Sequence, residues 1–205
     1  MTQITKGARR VGLLGGSFNP AHDGHRHISV EALRLLGLDE VWWLVSPQNP
    51  LKPEKGMAAL ETRLASARRA KRHPRIKALA IEGELGTRYT VDTVRALQRL
   101  HPKTRFIWLM GADNLAQFHR WRGWRRLARR VAIAVFPRSG YGRSSLTAPA
   151  MAWLRRWRRI NAAPRHWTEW ELPAIVMLKI RLSPQSASRL RARNPEWASA
   201  PTSNK

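Results

Sequence analysis

Two histidines, His22 and His25, stand three residues apart in the stretch GGSFNPAHDGHRH, residues 15–27. An imidazole can donate a hydrogen bond to a phosphoryl oxygen, and a protonated one adds charge. Around the histidines, Gly15 and Gly16 let backbone approach a ligand, Pro20 fixes one turn, and Gly24 removes a side chain where something must come close. The stretch lies between an apolar run at 11–14 and helical spacing over 28–36, so a strand feeds a helix there. A helix starting near Gly24 aims its first amides and the positive end of its dipole outward, which makes a seat for phosphate that both histidines can face. Two other readings stay open. The histidines could bind a metal, with Asp23 as the one carboxylate at hand, or the stretch could be a structural turn. Neither GxGxxG nor Walker spacing is present.

What must position this stretch is legible as alternation. Apolar runs predict strands over 10–15, 40–46, 75–81, 105–110 and 130–136, with a weaker one over 174–180. Helical spacing predicts helices over 25–36, 57–72, 91–100, 123–129 and 150–160. Continuous apolar strands alternating with helices imply an α/β class, doubly wound, with a mainly parallel sheet covered on both faces. Gly37 stands where the first helix should stop, and Thr90 reads as the N-cap of the helix after it. Residues 137–149 read as a loop, and 194–205, like 1–9, as a loose tail, leaving a single domain over 1–193. In such sheets ligands bind at the carboxyl ends of the strands, where strand order reverses, and the histidine stretch lies at such an end.

Composition limits the rest. The 205 residues include no cysteine, so thiolate chemistry and disulfides are excluded. The first ten residues are polar and basic, and no run approaches the roughly 18 apolar residues of a membrane span. A cytoplasmic protein without a membrane partner is the expectation. The formal net charge of +25 suits a polyanionic partner, or only a solvated arginine-rich surface. Basic residues concentrate over 118–130 and 153–167, interleaved with tryptophans in a manner that suits base stacking. No nucleic-acid module accompanies them, so nucleic acid is not expected as the main function.

At GGSFNPAHDGH the chain resembles the nucleotidylyltransferases that carry an HxGH motif, whose signature reads GSFxPxHxGH. Within that superfamily it is most similar to the bacterial nicotinate-nucleotide adenylyltransferases. The resemblance implies a Rossmann-like fold and transfer of AMP from ATP to nicotinate mononucleotide, with Mg²⁺ accompanying the ATP. It implies that His22 and His25 are catalytic and hold the ATP phosphates, with Gly15, Gly16, Ser17 and Phe18 beside them. Ser17, Phe18 and Asn19 would also meet the acceptor.

Further along, Gly111-Ala-Asp113-Asn114 is similar to the family's GxDN, and Trp121-Arg-Gly-Trp124 to its WxxW. The resemblance puts Gly111 and Asp113 beside ATP and lays Trp121 over the pyridine ring. On the residues alone, Asp113 could be a helix cap and both tryptophans packing residues; packing is the reading kept for Trp124. The segment 86–97 resembles the part that reads the nicotinate carboxylate, through amides around Thr90, with the Arg122 N–H adding a contact. Lys52 is a possible phosphate contact, or a solvated loop lysine. Ser186, Ser188 and Arg191 match the family's SSTxxR phosphate turn, although Ala187 replaces its middle serine and Ser188 its threonine. Asn19, where pantetheine and cytidylyl relatives carry aspartate, and the WxxW pair favour a pyridine acceptor. The alternatives are another acceptor, such as nicotinamide mononucleotide or phosphopantetheine, and a basic nucleic-acid-binding protein on an old nucleotide fold.

Overall fold

In the computed structural model, which describes residues 8–47, 56–160, 162–182, 185, 187–194 and 197, the apolar runs become six parallel strands. The chain runs β1 (Arg9–Gly16), α1 (Asp23–Leu35), β2 (Glu40–Val45), α2 (Leu60–Lys71), β3 (Ile76–Leu79), α3 (Ile81–Glu84) and α4 (Thr90–Leu100). It continues through β4 (Thr104–Gly111), α5 (Ala112–Gln117), α6 (Trp124–Ala128), β5 (Ala132–Phe136), α7 (Gly142–Leu146), α8 (Pro149–Leu154), β6 (Ile175–Met177) and α9 (Ala187–Arg193). Strand order is β3-β2-β1-β4-β5-β6. Order therefore reverses between β1 and β4, whose carboxyl ends frame a crevice.

Strict alternation fills both faces. On β1, Val11 and Leu13 enter one core with Trp42 and Leu44 of β2 and Phe106, Trp108 and Met110 of β4. On the other face Leu14 packs with Val41, Trp43 and Val45 of β2 and Ile107 and Leu109 of β4. Helices α4, α5, α6 and α8 cover the first face, through residues such as Val94, Leu115, Leu127 and Leu154. α1 and α2 cover the second, through Ala32, Leu33 and Ala67. Because the residue period of a strand is two, this pattern admits one register only.

Several boundaries differ from the sequence reading. Arg9 belongs to β1 and pairs with Glu40, so the amino-terminal tail is shorter than expected. β3 stops at Leu79 because the chain turns into α3, and β6 is a short edge strand. The helix expected over 150–160 tightens to a 3-10 turn at Arg155–Trp157, after which Arg158 bridges to Ile175 in extended form. The loop expected over 137–149 contains α7, whose Ser145 and Thr147 hydroxyls bond back to Gly142 and Arg143 carbonyls. Thr90 is the first residue of α4 and not its cap; Tyr89 holds that position without a side-chain bond. Gly37 does end α1, with φ at +60°. Trp197, within the expected loose tail, donates from its indole to Asn19 Oδ1 at 2.7 Å. No helix among the described residues is long and apolar enough to cross a membrane.

One buried polar chain joins α1 to the sheet. Ser29 donates to His25 O at 2.8 Å and accepts the Trp43 indole N–H at 2.8 Å. Replacing Ser29 with alanine leaves that N–H without an acceptor. Urea unfolding of Ser29→Ala should show a loss of about 1–3 kcal/mol with an unchanged slope.

Candidate functional site

The crevice between β1 and β4 is a cleft of about 850 Å³. Gly15, Gly16, Ser17, Phe18, Asn19, His22 and His25 line one side, and Gly111, Asp113, Thr90, Trp121 and Arg122 the other. Ser188 and Arg191 of α9 close its rim. Lys52 and Ser186 lie outside the described residues.

At its centre the two histidines cap α1 for each other. His22 is the N-cap, and its Nδ1 accepts from the Gly24 amide at 3.1 Å. His25 Nδ1 accepts from the His22 amide at 3.2 Å, which completes a capping box. The ring centroids stand 3.9 Å apart. Since each Nδ1 is an acceptor, the neutral rings carry their protons on Nε2. This arrangement corrects the expected phosphate seat of open amides. The Gly24 amide is taken by His22, the Asp23 amide by Gln185 Oε1 at 3.0 Å, and the His25 amide by His22 O at 2.9 Å. The helix start therefore offers no open amide at these three positions. Gly24 is a glycine because a Cβ there would come within 2.8 Å of the His22 ring it supports.

Burial lowers the His22 pKa from 6.5 to about 4, with the charge of Arg138 acting the same way and Asp23 opposing. His22 is thus neutral at pH 7, which leaves it hydrogen-bond donation without added charge. Protonation would place a hydrogen on the capping nitrogen and break the cap.

The loop before α1 is held from below. Arg63 of α2 is 1% exposed, and its guanidinium donates to the carbonyls of Ser17, Ser46, Pro47 and Ala58 at 2.6–2.8 Å. Burial lowers the pKa of Arg63, against the pull of Glu61. Phe18 takes a left-handed φ of +46°, a strained choice for a side chain of its size. Its ring stacks on Trp43 at 5.1 Å and tilts against His25 at 4.8 Å, which offsets the strain. Asn19 is a tie between segments. It donates to Gly56 O, accepts from the Ala58 amide and Trp197, and its carbonyl accepts from Arg191.

Across the cleft, a Cβ at Gly111 would meet the Asp113 carboxylate, which would have to turn aside. Asp113 does not cap α5; its carboxylate faces Arg138 at 3.5 Å. Trp121 is held edge-on by Trp108 and Phe118, at 6.0 and 5.4 Å, and lines the cleft. Trp124 packs on Phe118 and Trp153 and is no cleft residue. The Arg122 guanidinium covers the Tyr89 ring at 4.6 Å, which ties the Trp121 segment to the start of α4. There the Asp92 and Thr93 amides both bond to Tyr89 O, at 2.9 and 3.1 Å, and the Thr90 residue ahead of them lines the cleft.

Arg138, Trp108 and Glu82 are among the lining residues that sequence reasoning missed. Arg138 follows β5 at its carboxyl end, a position that could have flagged it. Trp108 reads as an ordinary strand residue. Glu82, at the turn after β3, is 8% exposed; burial pushes its carboxyl up, against hydrogen bonds from Ser46 and Thr93. No group of three histidine, aspartate or glutamate side chains among the described residues could hold a metal ion.

Comparison with known proteins follows the same lines. A family model described as cytidylyltransferase-like matches residues 13–193. A protein of Erythrobacter litoralis (strain HTCC2594), named probable nicotinate-nucleotide adenylyltransferase, is 54% identical over 190 residues, 93% of this chain and 87% of its own. A protein of the same name from Parvibaculum lavamentivorans is 50% identical over 184 residues, covering 90% of this chain and 92% of its own. Among solved structures, Plasmodium falciparum nicotinic acid mononucleotide adenylyltransferase complexed with NaAD superposes with a TM-score of 0.64. That match covers 90% of this chain and 83% of the other at 16% identity, a likeness of fold.

The His22 pKa has a consequence with a definite sign. The unfolded chain binds this proton more readily than the folded one, so the stability contributed by neutral His22 is complete above about pH 6.5. It is lost as pH falls toward about 4. Ring-proton NMR of the ligand-free protein should give His22 a midpoint near 4; a midpoint near 6.5 would contradict the capping arrangement.

Proposed function

The chain belongs to the cytidylyltransferase-like family, among its nicotinate-nucleotide adenylyltransferases, and on that footing we propose how its cleft transfers AMP from ATP to nicotinate mononucleotide. A phosphate oxygen of the mononucleotide attacks the α-phosphorus of ATP. A new P–O bond forms, the bond from the α-phosphorus to the bridging oxygen breaks, and pyrophosphate leaves with that electron pair. The products are nicotinate adenine dinucleotide and pyrophosphate, a step of NAD biosynthesis. No enzyme nucleophile is needed, since such transfers depend on alignment and on stabilising charge in the transition state.

The observation that carries this reading is the capping box. It fixes both imidazoles with Nε2–H as donor, 3.9 Å apart, over the cleft at the end of β1. Donors set in advance cost no reorganisation when charge builds on the phosphoryl oxygens. Gly15, Gly16, Ser17 and Phe18 would flank the phosphates, with Ser188 and Arg191 at the rim, and Gly111 and Asp113 would take the adenylate part. Trp121 would stack on the pyridine ring, whose heteroaromatic face suits an indole. The amides around Thr90 and the Arg122 N–H would read its carboxylate, while Ser17, Phe18 and Asn19 meet the rest of the mononucleotide; Lys52 and Ser186 complete the assignment. Mg²⁺ would be carried by triphosphate oxygens and water, because Asp113 and Glu82 are the only carboxylates among the described residues that line the cleft. Bound there it supplies charge neutralisation. On the same reading residues 1–193 act as one domain, working in the cytoplasm.

Pyrophosphate release with ATP and Mg²⁺ tests the reaction and the acceptor together. Nicotinate mononucleotide should exceed nicotinamide mononucleotide and phosphopantetheine well beyond error. Release with another acceptor alone would keep the chemistry and overturn the roles of Trp121 and Thr90. Silence with all three would overturn the reaction.

The histidine roles have their own test. Asparagine is a good N-cap but offers no donor at the Nε2 position. His22→Asn should keep unfolding stability within about 1 kcal/mol while kcat falls roughly 100-fold or more. Equal turnover by the variant would make His22 structural only.

A further inference from the structure

Outside the cleft, α6 and the segment 154–160 bring together an unusual set of charges. Arg125, Arg126, Arg129 and Arg130 are exposed along α6 and its end. Arg155, Arg156 and Arg158 are exposed on the neighbouring segment. Trp153 of α8, just before the second segment, joins the two: its ring meets Trp124 edge to face at 5.2 Å and lies 4.6 Å from Trp157. The ion pairs among the described residues lie elsewhere, at Glu40, Glu31, Asp113 and Glu169. Like charges gathered without carboxylates repel one another, a cost that an anionic partner removes.

The arginines are also ordered by the tryptophans. Arg125 lies over Trp124 at 4.8 Å, Arg129 over Trp153 at 5.4 Å and Arg156 over Trp157 at 4.8 Å. A guanidinium laid on an indole keeps its N–H donors in its own plane, so its fork stays available for phosphate while its rotamer freedom is already reduced. Three such forks over a connected row of rings suit a ligand in which phosphates recur along a flexible strand. A bilayer is a poorer match, because the rings are half-buried against one another and covered by guanidinium and do not stand out as an apolar wedge. A duplex offers no unstacked base to this surface.

We propose that α6 and residues 154–160 form a binding surface for single-stranded nucleic acid, separate from the nucleotide cleft. Its affinity comes from phosphodiester contacts by the stacked arginines. It does not depend on the adenylyl-transfer reading, and loss of one leaves the other standing.

Fluorescence anisotropy with a labelled oligouridylate, followed from low to moderate salt, tests it on the full chain. Arg125→Ala, Arg129→Ala and Arg156→Ala together should weaken binding roughly tenfold or more at about 100 mM salt and flatten the log–log salt slope by about 2. A control triple, Arg68→Ala, Arg69→Ala and Arg99→Ala, removes the same charge from exposed positions elsewhere and should change binding far less. The corresponding triple lysine variant keeps charge but loses the stacked fork, and should fall between wild type and alanine. Pyrophosphate release by all three variants should match wild type, which also shows that they fold. Equal losses in both alanine triples would mean a general field and no site, and would overturn the proposal. So would undetectable binding by wild type, or equal loss of binding to phosphatidylglycerol vesicles in place of the oligonucleotide.

Discussion

The hydrogen bond from the Gly24 amide to His22 Nδ1 constrains more of this molecule than any other single contact. A helix start needs acceptors for its first amides, and here a ring nitrogen supplies one. Using a ring nitrogen in this way settles the tautomer, and it keeps the ring neutral where burial and Arg138 already disfavour its charge. It also requires glycine two residues on, since any side chain would press on the ring. His25 repeats the arrangement from the other side of the box. On the proposed reading, capping by Nδ1 and phosphate contact by Nε2 fall to opposite sides of the same two rings.

Support for that bond reaches through two further layers. Arg63 gathers the carbonyls of three segments under the loop, an uncommon use of a buried charge, in which backbone dipoles stand where a carboxylate would usually be. Above it, Phe18 holds a left-handed backbone that its ring contacts with Trp43 and His25 sustain. Trp43 is in turn fixed by Ser29 of the helix that the histidines cap. The contacts form a closed circuit: α1 orients Trp43, Trp43 seats Phe18, and Phe18 borders the rings at the start of α1.

Much of the sheet was legible because parallel strands buried on both faces write themselves as continuous apolar runs. β1, β2, β4 and β5 carry such runs, and their boundaries fall within about two residues of expectation. β3 and β6 were overextended because an edge strand ends where its neighbour ends, and that information lies elsewhere in the chain. Within the site, His22, His25 and Gly24 were legible from residue type and spacing, and Gly111 only through the family resemblance. The direction of the rings was not. Nothing in the sequence says that the Nδ1 atoms turn inward to the amides, which is why open amides seemed the natural phosphate seat. Arg138 and Glu82 were missed for a related cause, since a charged residue after a strand is common and only the fold brings these two to the cleft. The part of Asn19 as a tie to Gly56, Arg191 and Trp197 depends on contacts spanning much of the chain, beyond the reach of local pattern.

The strand order carries one more consequence, for the newborn chain. β1 lies in the middle of the sheet, paired with β2 on one side and with β4 on the other. β2 follows it closely, but β4 begins only at Thr104. At translation rates of about 5–20 residues per second, one edge of β1 waits on the order of ten seconds for its partner. During that interval an apolar strand, bearing the loop that will line the cleft, presents unpaired amides and carbonyls to whatever is near. The central place that gives the histidine loop its rigid floor in the finished protein makes the same strand the most vulnerable one during synthesis.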